Sequence, residues 1–179
     1  MSETGTEDEN LRSSIGHHST YIWETKLVLE EYSKVESYEE LKRRVVEDNI
    51  LNKGSEEYRR RMLTEISMRC DLNKEEYEET ALVSVMNSDL PDSLKDWILY
   101  YQYSKDSTVR LLTQEFLYPK HKQGAISVSK KEVLEFLKSI EDEYPEISEW
   151  TENTKDGVAK HYLSALKNFG ILEGRQKKE

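Results

Sequence analysis

Apolar positions in this chain recur at helical spacing, not in strict alternation. Ile22, Trp23, Leu27, Leu29 and Val35 form a stripe that predicts a first helix over Thr20 to Lys34. Ser37-Tyr38-Glu39-Glu40 has the form of a capping box, with the serine oxygen accepting from the N3 amide and Glu40 reaching back to the cap, and it opens a second helix to about Asp48. The run from Asn49 to Ser55 breaks that helix, and Ser55 caps a third that carries Tyr58, Met62, Leu63, Ile66 and Cys70. Lys74 to Ser88 reads as a fourth helix. Pro91, a residue tolerated in a first helical turn, opens a fifth through Trp97, Leu99, Tyr100 and Tyr103. A sixth starts at Asp106 or Ser107 and ends near Tyr118-Pro119, leaving Lys120 to Ile126 as an exposed loop. Ser129-Lys130-Lys131-Glu132 is a second capping box, with Val133, Phe136, Leu137 and Ile140 facing inward. The last helix runs from about Thr154 to Asn168, and Gly170 followed by Ile171 matches a Schellman ending.

Three prolines and seven glycines in 179 residues leave room for long helices, and 35% charged residues suit solvated helix faces. The fold expected is all-α: a compact multi-helix protein with two helix-turn-helix-like modules. The organisation expected is a disordered acidic tail over residues 1–18, an N-terminal helical module over 19–118, and a C-terminal helix-turn-helix-like module over 119–179. The single cysteine, Cys70, excludes an intramolecular disulfide and a multi-thiolate metal site, and fits a reducing compartment. The most apolar run, Trp97 to Tyr101, is far short of the roughly 18 residues a membrane-spanning helix needs. The acidic N-terminus lacks the features of a signal peptide, so a cytoplasmic location is expected.

The net charge is −10, yet it is unevenly spread. Residues 70–104 carry 2 basic and 8 acidic side chains and residues 141–152 carry none and 6, whereas residues 105–140 carry 7 and 4 and residues 153–179 carry 6 and 3. Screening beyond about 8 Å at physiological salt lets such local basic surfaces act on a polyanion despite the acidic total.

Two regions could use that charge. Arg59-Arg60-Arg61 opens the third helix, where Arg60, Arg61, Thr64 and Ser67 spread over the face opposite Met62, Leu63, Ile66 and Cys70. Lys42, Arg43, Arg44 and Lys53 add charge from the preceding helix and turn, a helix-turn-helix outline able to lie against phosphates. The plainer reading is a solvated face, since Glu56 and Glu57 precede Arg60 and Arg61 by four residues. The second region is the C-terminal unit. Its last helix exposes Lys160, Ser164, Lys167 and Asn168 opposite Val158, Tyr162, Leu166 and Phe169, and Lys120, Lys122, Lys130 and Lys131 stand within reach of phosphate oxygens. Here the competing reading is a helical hairpin whose lysines serve solubility.

Tyrosine supplies 11 of the 17 aromatic residues. Tyr100, Tyr101 and Tyr103 adjoin Trp97 on one helix, so at least one is expected on an outer face, although core burial is the commoner fate of a tyrosine. Catalytic and metal signatures do not emerge. His17, His18, His121 and His161 are scattered, Gly54-Ser55 lacks a P-loop, and Glu141-Asp142-Glu143 beside Pro145 reads as a solvated acidic turn. A non-enzyme without cofactor or metal is expected.

Several stretches resemble one known family. They are Glu24, Val45 to Leu51, the Arg59-to-Arg69 helix continuing to Leu72, Val109 to Leu112, and Leu163 to Leu172. Together they resemble the BrxA family of BREX bacteriophage-exclusion defence systems over about residues 19–174. Family members once carried an inner-membrane label, which the hydropathy of this chain contradicts. The resemblance implies a small all-helical fold and a non-catalytic role in a defence operon. It further implies double-stranded DNA binding, other BREX components as partners, and a likeness to the helical antitermination factor NusB. The function expected is an accessory protein contacting duplex DNA through phosphates; the alternatives are a helical adaptor within the defence complex and a NusB-like RNA binder. A contiguous exposed apolar patch favours the adaptor, and a continuous basic strip favours nucleic acid.

Overall fold

The computed structural model describes residues 11–13, 20–72, 80–124 and 127–173. Among them it is all helical and divides into two compact units, residues 21–102 and residues 103–173 with the N-terminal residues up to Thr20. The 118/119 boundary read from the sequence falls inside a continuous helical run. Most of the expected 1–18 tail lies outside the described residues, although the Arg12 carbonyl accepts from Thr108 Oγ1 at 2.7 Å.

In the first unit, α1 (Ile22–Tyr32), α2 (Tyr38–Lys42), α3 (Glu56–Arg69), α4 (Ala81–Met86) and α5 (Asp92–Tyr103) surround Val28, Leu29, Tyr32, Leu41, Val45, Met62, Ile66 and Val83, all fully buried. The serine of the first box caps α2, with Glu40 N donating to Ser37 Oγ at 3.2 Å. The return arm differs from expectation, because Glu40 accepts from the Glu36 amide and turns its other oxygen to Arg44. α2 passes into a π-helical turn, Arg43–Glu47, with Val45 and Val46 both buried. The chain then leaves the helix through Asn49 and Asn52, both at positive φ, a conformation asparagine tolerates. Asn49 Oδ1 closes this turn by accepting from the Lys53 amide at 2.9 Å. The fourth helix spans Ala81–Met86, and the expected start at Lys74 lies outside the described residues. Thr80 is extended and its hydroxyl caps Val83 N, and residues 73–79 lie outside the described set. Pro91 stands just before α5, its carbonyl accepting from the Leu94 and Lys95 amides.

In the second unit, α6 (Ser107–Leu111) continues through a second π-helical turn, Leu112–Leu117, into α7 (Tyr118–Lys122). The expected stop at Pro119 and the exposed loop after it are therefore corrected: Lys120 and Lys122 lie on a helix. Proline lacks an amide and its ring clashes with the carbonyl four residues back in an α-helix, and a widened turn just ahead, where Tyr118 N donates to Thr113 O, absorbs that conflict. α8 (Lys130–Ser139) carries the full capping box, Glu132 N to Ser129 Oγ at 3.3 Å and Ser129 N to Glu132 Oε2 at 2.8 Å. A short helix that the sequence reading did not resolve, α9 (Pro145–Ser148), buries Ile147 completely. α10 (Glu152–Asn168) packs on α8 and buries Val158, Tyr162 and Leu166 completely, and the Phe116 and Phe136 rings of the same unit meet at a tilt with centroids 5.3 Å apart. The Schellman ending is present: Gly170 has φ +70°, Ile171 N donates to Leu166 O at 2.8 Å, and Gly170 N donates to Lys167 O at 3.0 Å. Replacing Ser129 with alanine removes one arm of the box and the cap, and is expected to lower unfolding stability by about 1 kcal/mol in a urea titration.

Candidate nucleic-acid interface

The arginine triplet of α3 is the first place to look for exposed positive charge, and most of it is spoken for. Arg59 turns back into its own unit, its Nε donating to Val46 O at 2.7 Å and its Nη1 to Lys53 O at 3.1 Å and to Gly54 O. It therefore clamps the carbonyls of the turn opened by Asn49, which makes it a structural residue. Arg60 pairs with Glu56, and Arg61 with Glu65 at 3.0 Å. Thr64 Oγ1 donates to the Arg60 carbonyl at 3.0 Å. Ser67, expected on the outer face, is buried and within 3.1 Å of the Tyr38 hydroxyl. That burial follows from its position on the side of α3 that meets α2, a tertiary contact no helical wheel reports.

The neighbouring bases are neutralised in the same way. Lys53 meets Glu24 at 2.6 Å, Lys42 meets Glu39 at 3.0 Å, and Arg43 meets Asp48 at 2.7 Å. Arg44 bridges Glu31 at 2.9 Å and Glu40 at 2.8 Å. These partners hold one another charged. The hydrogen bond that Lys53 donates to Glu24 raises its ammonium above its usual range, the one Glu56 accepts from Arg60 lowers its carboxyl, and the one Arg61 donates to Glu65 raises its guanidinium. A phosphate approaching this surface must first displace a carboxylate from each base it meets.

The C-terminal unit differs. Lys120 on α7 reaches Glu132 of α8 at 2.5 Å and lies 5.5 Å from the Phe116 ring centroid, while Lys130 at the start of α8 reaches Asp156 of α10 at 2.6 Å. These two pairs bring the end of α7, the first turn of α8 and the first half of α10 together. Around them stand Lys122, whose ammonium sits 5.4 Å from the Tyr118 ring centroid; Lys131, with only a long 3.7 Å approach to Glu135; and Lys160, one turn beyond Asp156 on α10. Among the described residues no carboxylate pairs with Lys122, Lys160 or Lys167. Five lysines here, at 120, 122, 130, 131 and 160, meet three carboxylates, at 132, 135 and 156. Ser164 is exposed on the α10 face that carries Lys160, and Lys167 is half-buried on the next turn.

The protein-family model for BrxA matches residues 10–179. The chain belongs to the BrxA family. BrxA membership makes it a component of BREX phage defence and accords with the all-helical architecture. No curated protein matches the sequence. Among the described residues no helix is long and apolar enough to cross a membrane.

One residue of this site escaped the sequence reading altogether. Lys155 is buried, pairs with Glu141 at 2.5 Å and approaches Glu152 at 3.7 Å, so Glu141 tethers α10 while Asp142 and Glu143 of the same turn are exposed. Its position in the first turns of α10 was visible, but its partner lies beyond α9 and only the fold joins them.

Two outcomes follow. Arg59→Ala leaves three carbonyls without their donor and is expected to lower stability by about 2 kcal/mol in urea unfolding. The Glu132 carboxyl is pulled down to about 2 by Lys120 and by the side chain and amide of Ser129. A carboxyl lowered in the folded state contributes stability above its unfolded pKa of about 4.3 that is lost as pH falls toward about 2. Thermal melts of wild type and Glu132→Gln across that window are expected to show a shallower pH dependence for the variant.

Proposed function

We propose that this BrxA-family protein is a non-catalytic, cytoplasmic accessory factor that contacts duplex DNA through the C-terminal unit, with the lysines at the junction of α7, α8 and α10 lying along the phosphates. The observation that supports this reading is the local excess of lysine over carboxylate there, in a chain whose other arginines and lysines are largely matched by acids. Affinity for a polyanion comes from counterions released by cations that are not already neutralised by the protein's own acids. Lys122 and Lys160 meet that requirement; Lys131, with its long 3.7 Å approach to Glu135, and Lys120 and Lys130 can join by exchanging a surface carboxylate for a phosphate. α10, with Lys160 and Ser164 exposed on one face and the half-buried Lys167 a turn beyond, is the element of this helix-turn-helix-like unit that lies nearest the duplex, and its small and basic residues favour positioning over base reading. Other BREX components are its protein partners.

The weight thus moves from the arginine helix to the lysine cluster. Arg60 and Arg61 are secondary contacts at most, Arg59 is structural, and Lys53 is held by Glu24.

The test is fluorescence anisotropy of an arbitrary-sequence 30-base-pair duplex at several salt concentrations, with single-stranded DNA and an RNA hairpin as competitors. For wild type, the logarithm of the association constant is expected to fall linearly with the logarithm of salt. Lys122→Ala, Lys131→Ala and Lys160→Ala together should flatten that slope by roughly 2 to 3, at about 0.9 per phosphate contact, and weaken binding to every sequence alike. Arg60→Ala with Arg61→Ala should leave the slope unchanged. The reverse pattern overturns the assignment, and preference for the RNA hairpin replaces duplex DNA with RNA as the ligand.

A further inference from the structure

One helix face in the N-terminal unit has a character found nowhere on the lysine cluster. α5 buries Leu99 and Tyr100 and anchors Gln102, whose Nε2 donates to the Arg69 carbonyl at 2.6 Å. Its opposite side is apolar and exposed: Leu94 is 44% accessible, Trp97 55% and Tyr101 68%, with Leu90 at 38% in the turn leading in. At 100° per residue, Leu94, Trp97 and Tyr101 fall within about 60° of one another. They form one stripe and not a scatter of surface side chains. Trp97 is held in place by an edge-to-face contact with the buried Tyr100, ring centroids 6.1 Å apart and planes at 88°. A large aromatic fixed in this way loses little freedom when covered, which is the property of an interface anchor.

The charges around the stripe lie at its N-terminal end. Asp89 and Asp92 are exposed, and among the described residues neither pairs with a base, whereas Asp96 on the buried flank is matched by Lys26 at 2.7 Å. That end of the stripe therefore presents two exposed carboxylates, Asp89 and Asp92. Aromatic side chains offer roughly 150–250 Å² each when covered, so the exposed parts of the stripe sum to on the order of 400 Å². That is about half of the roughly 800 Å² per partner that a standard stable interface buries. A symmetric dimer through this face alone is too small, and a single helix laid along it is the right size.

We propose that the Leu90-Leu94-Trp97-Tyr101 stripe is the docking surface for one amphipathic helix of a partner protein, with an apolar seam ending in lysine or arginine over Asp89 and Asp92. The aromatic pair fills the centre of the contact, and the two carboxylates set the direction in which the partner helix lies. This surface acts independently of the lysine cluster, so either reading can fail without the other.

The experiment uses the full chain and two labelled synthetic helical peptides of 18 residues. They share a leucine seam at i, i+4, i+7 and i+11, and end the seam in two lysines or two glutamates. Anisotropy titration is expected to give at least tenfold tighter binding for the lysine peptide. Asp89→Lys with Asp92→Lys should invert that preference. Trp97→Ser with Tyr101→Ser should abolish binding of both peptides while leaving duplex affinity unchanged, and circular dichroism melts confirm that the variants fold. Equal affinity for the two peptides, or no stripe-dependent binding, overturns the proposal. So does sedimentation showing a dimer of this chain that Trp97→Ser converts to monomer, which would give the face to a second copy.

Discussion

With ten more acidic than basic side chains, an arginine or lysine on this protein's surface usually has a carboxylate within reach. The N-terminal unit uses that surplus to tie its helices together: Arg44 spans α1 and α2, Lys53 holds the turn after α2 to α1, and Lys26 joins α1 to α5. Surface pairs of this kind contribute little to stability individually, but they decide where positive charge is left over. A basic run in the sequence is therefore no guide to a basic surface. The chain has two runs of three consecutive bases, Lys42-Arg43-Arg44 and Arg59-Arg60-Arg61, yet every member of both is engaged by its own protein, while the dispersed lysines of α7, α8 and α10 outnumber their partners.

Local signals were legible in the sequence. Ser37, Ser55 and Ser129 cap helices as their positions imply, and Gly170 ends α10 with both hydrogen bonds of its motif. These depend on contacts within a few residues, so a linear reading captures them. The inward faces of α3, α8 and α10 were legible for the same reason, because a 3.6-residue period sorts apolar from polar positions. Tyr101 is the outer-face tyrosine expected on α5, while Tyr100 and Tyr103 are buried.

The departures share a different cause. Pro119 reads as a helix end only if the helix ahead of it is regular, and a π-helical turn removes that premise. Ser67 reads as exposed until α2 brings Tyr38 against it. Arg59 reads as a surface cation until the carbonyls of the 46–54 turn meet it, and Lys155 gives no signal until the Glu141 carboxylate meets it. Each is a question of what approaches from elsewhere in the chain, and spacing along one helix does not encode it. The candidate site was half legible on these terms. Its residues were in view, but which of them carry uncompensated charge depends on partners 12 to 26 residues away.

The π-helical turn at Leu112–Leu117 bears on the order in which the protein is assembled. A π-helical turn is rare, and an isolated helix of this length is marginal in water, so the segment from Ser107 to Lys122 depends on packing to hold its shape. It is held by burial of Leu112 and Phe116 and by the Phe136 ring of α8. Lys120 and Lys122 therefore take up their places only after the C-terminal core has closed. The positive surface they help build is a product of cooperative packing, absent from any partly opened form of that unit, and a chain that has not finished folding presents no such surface to a polyanion.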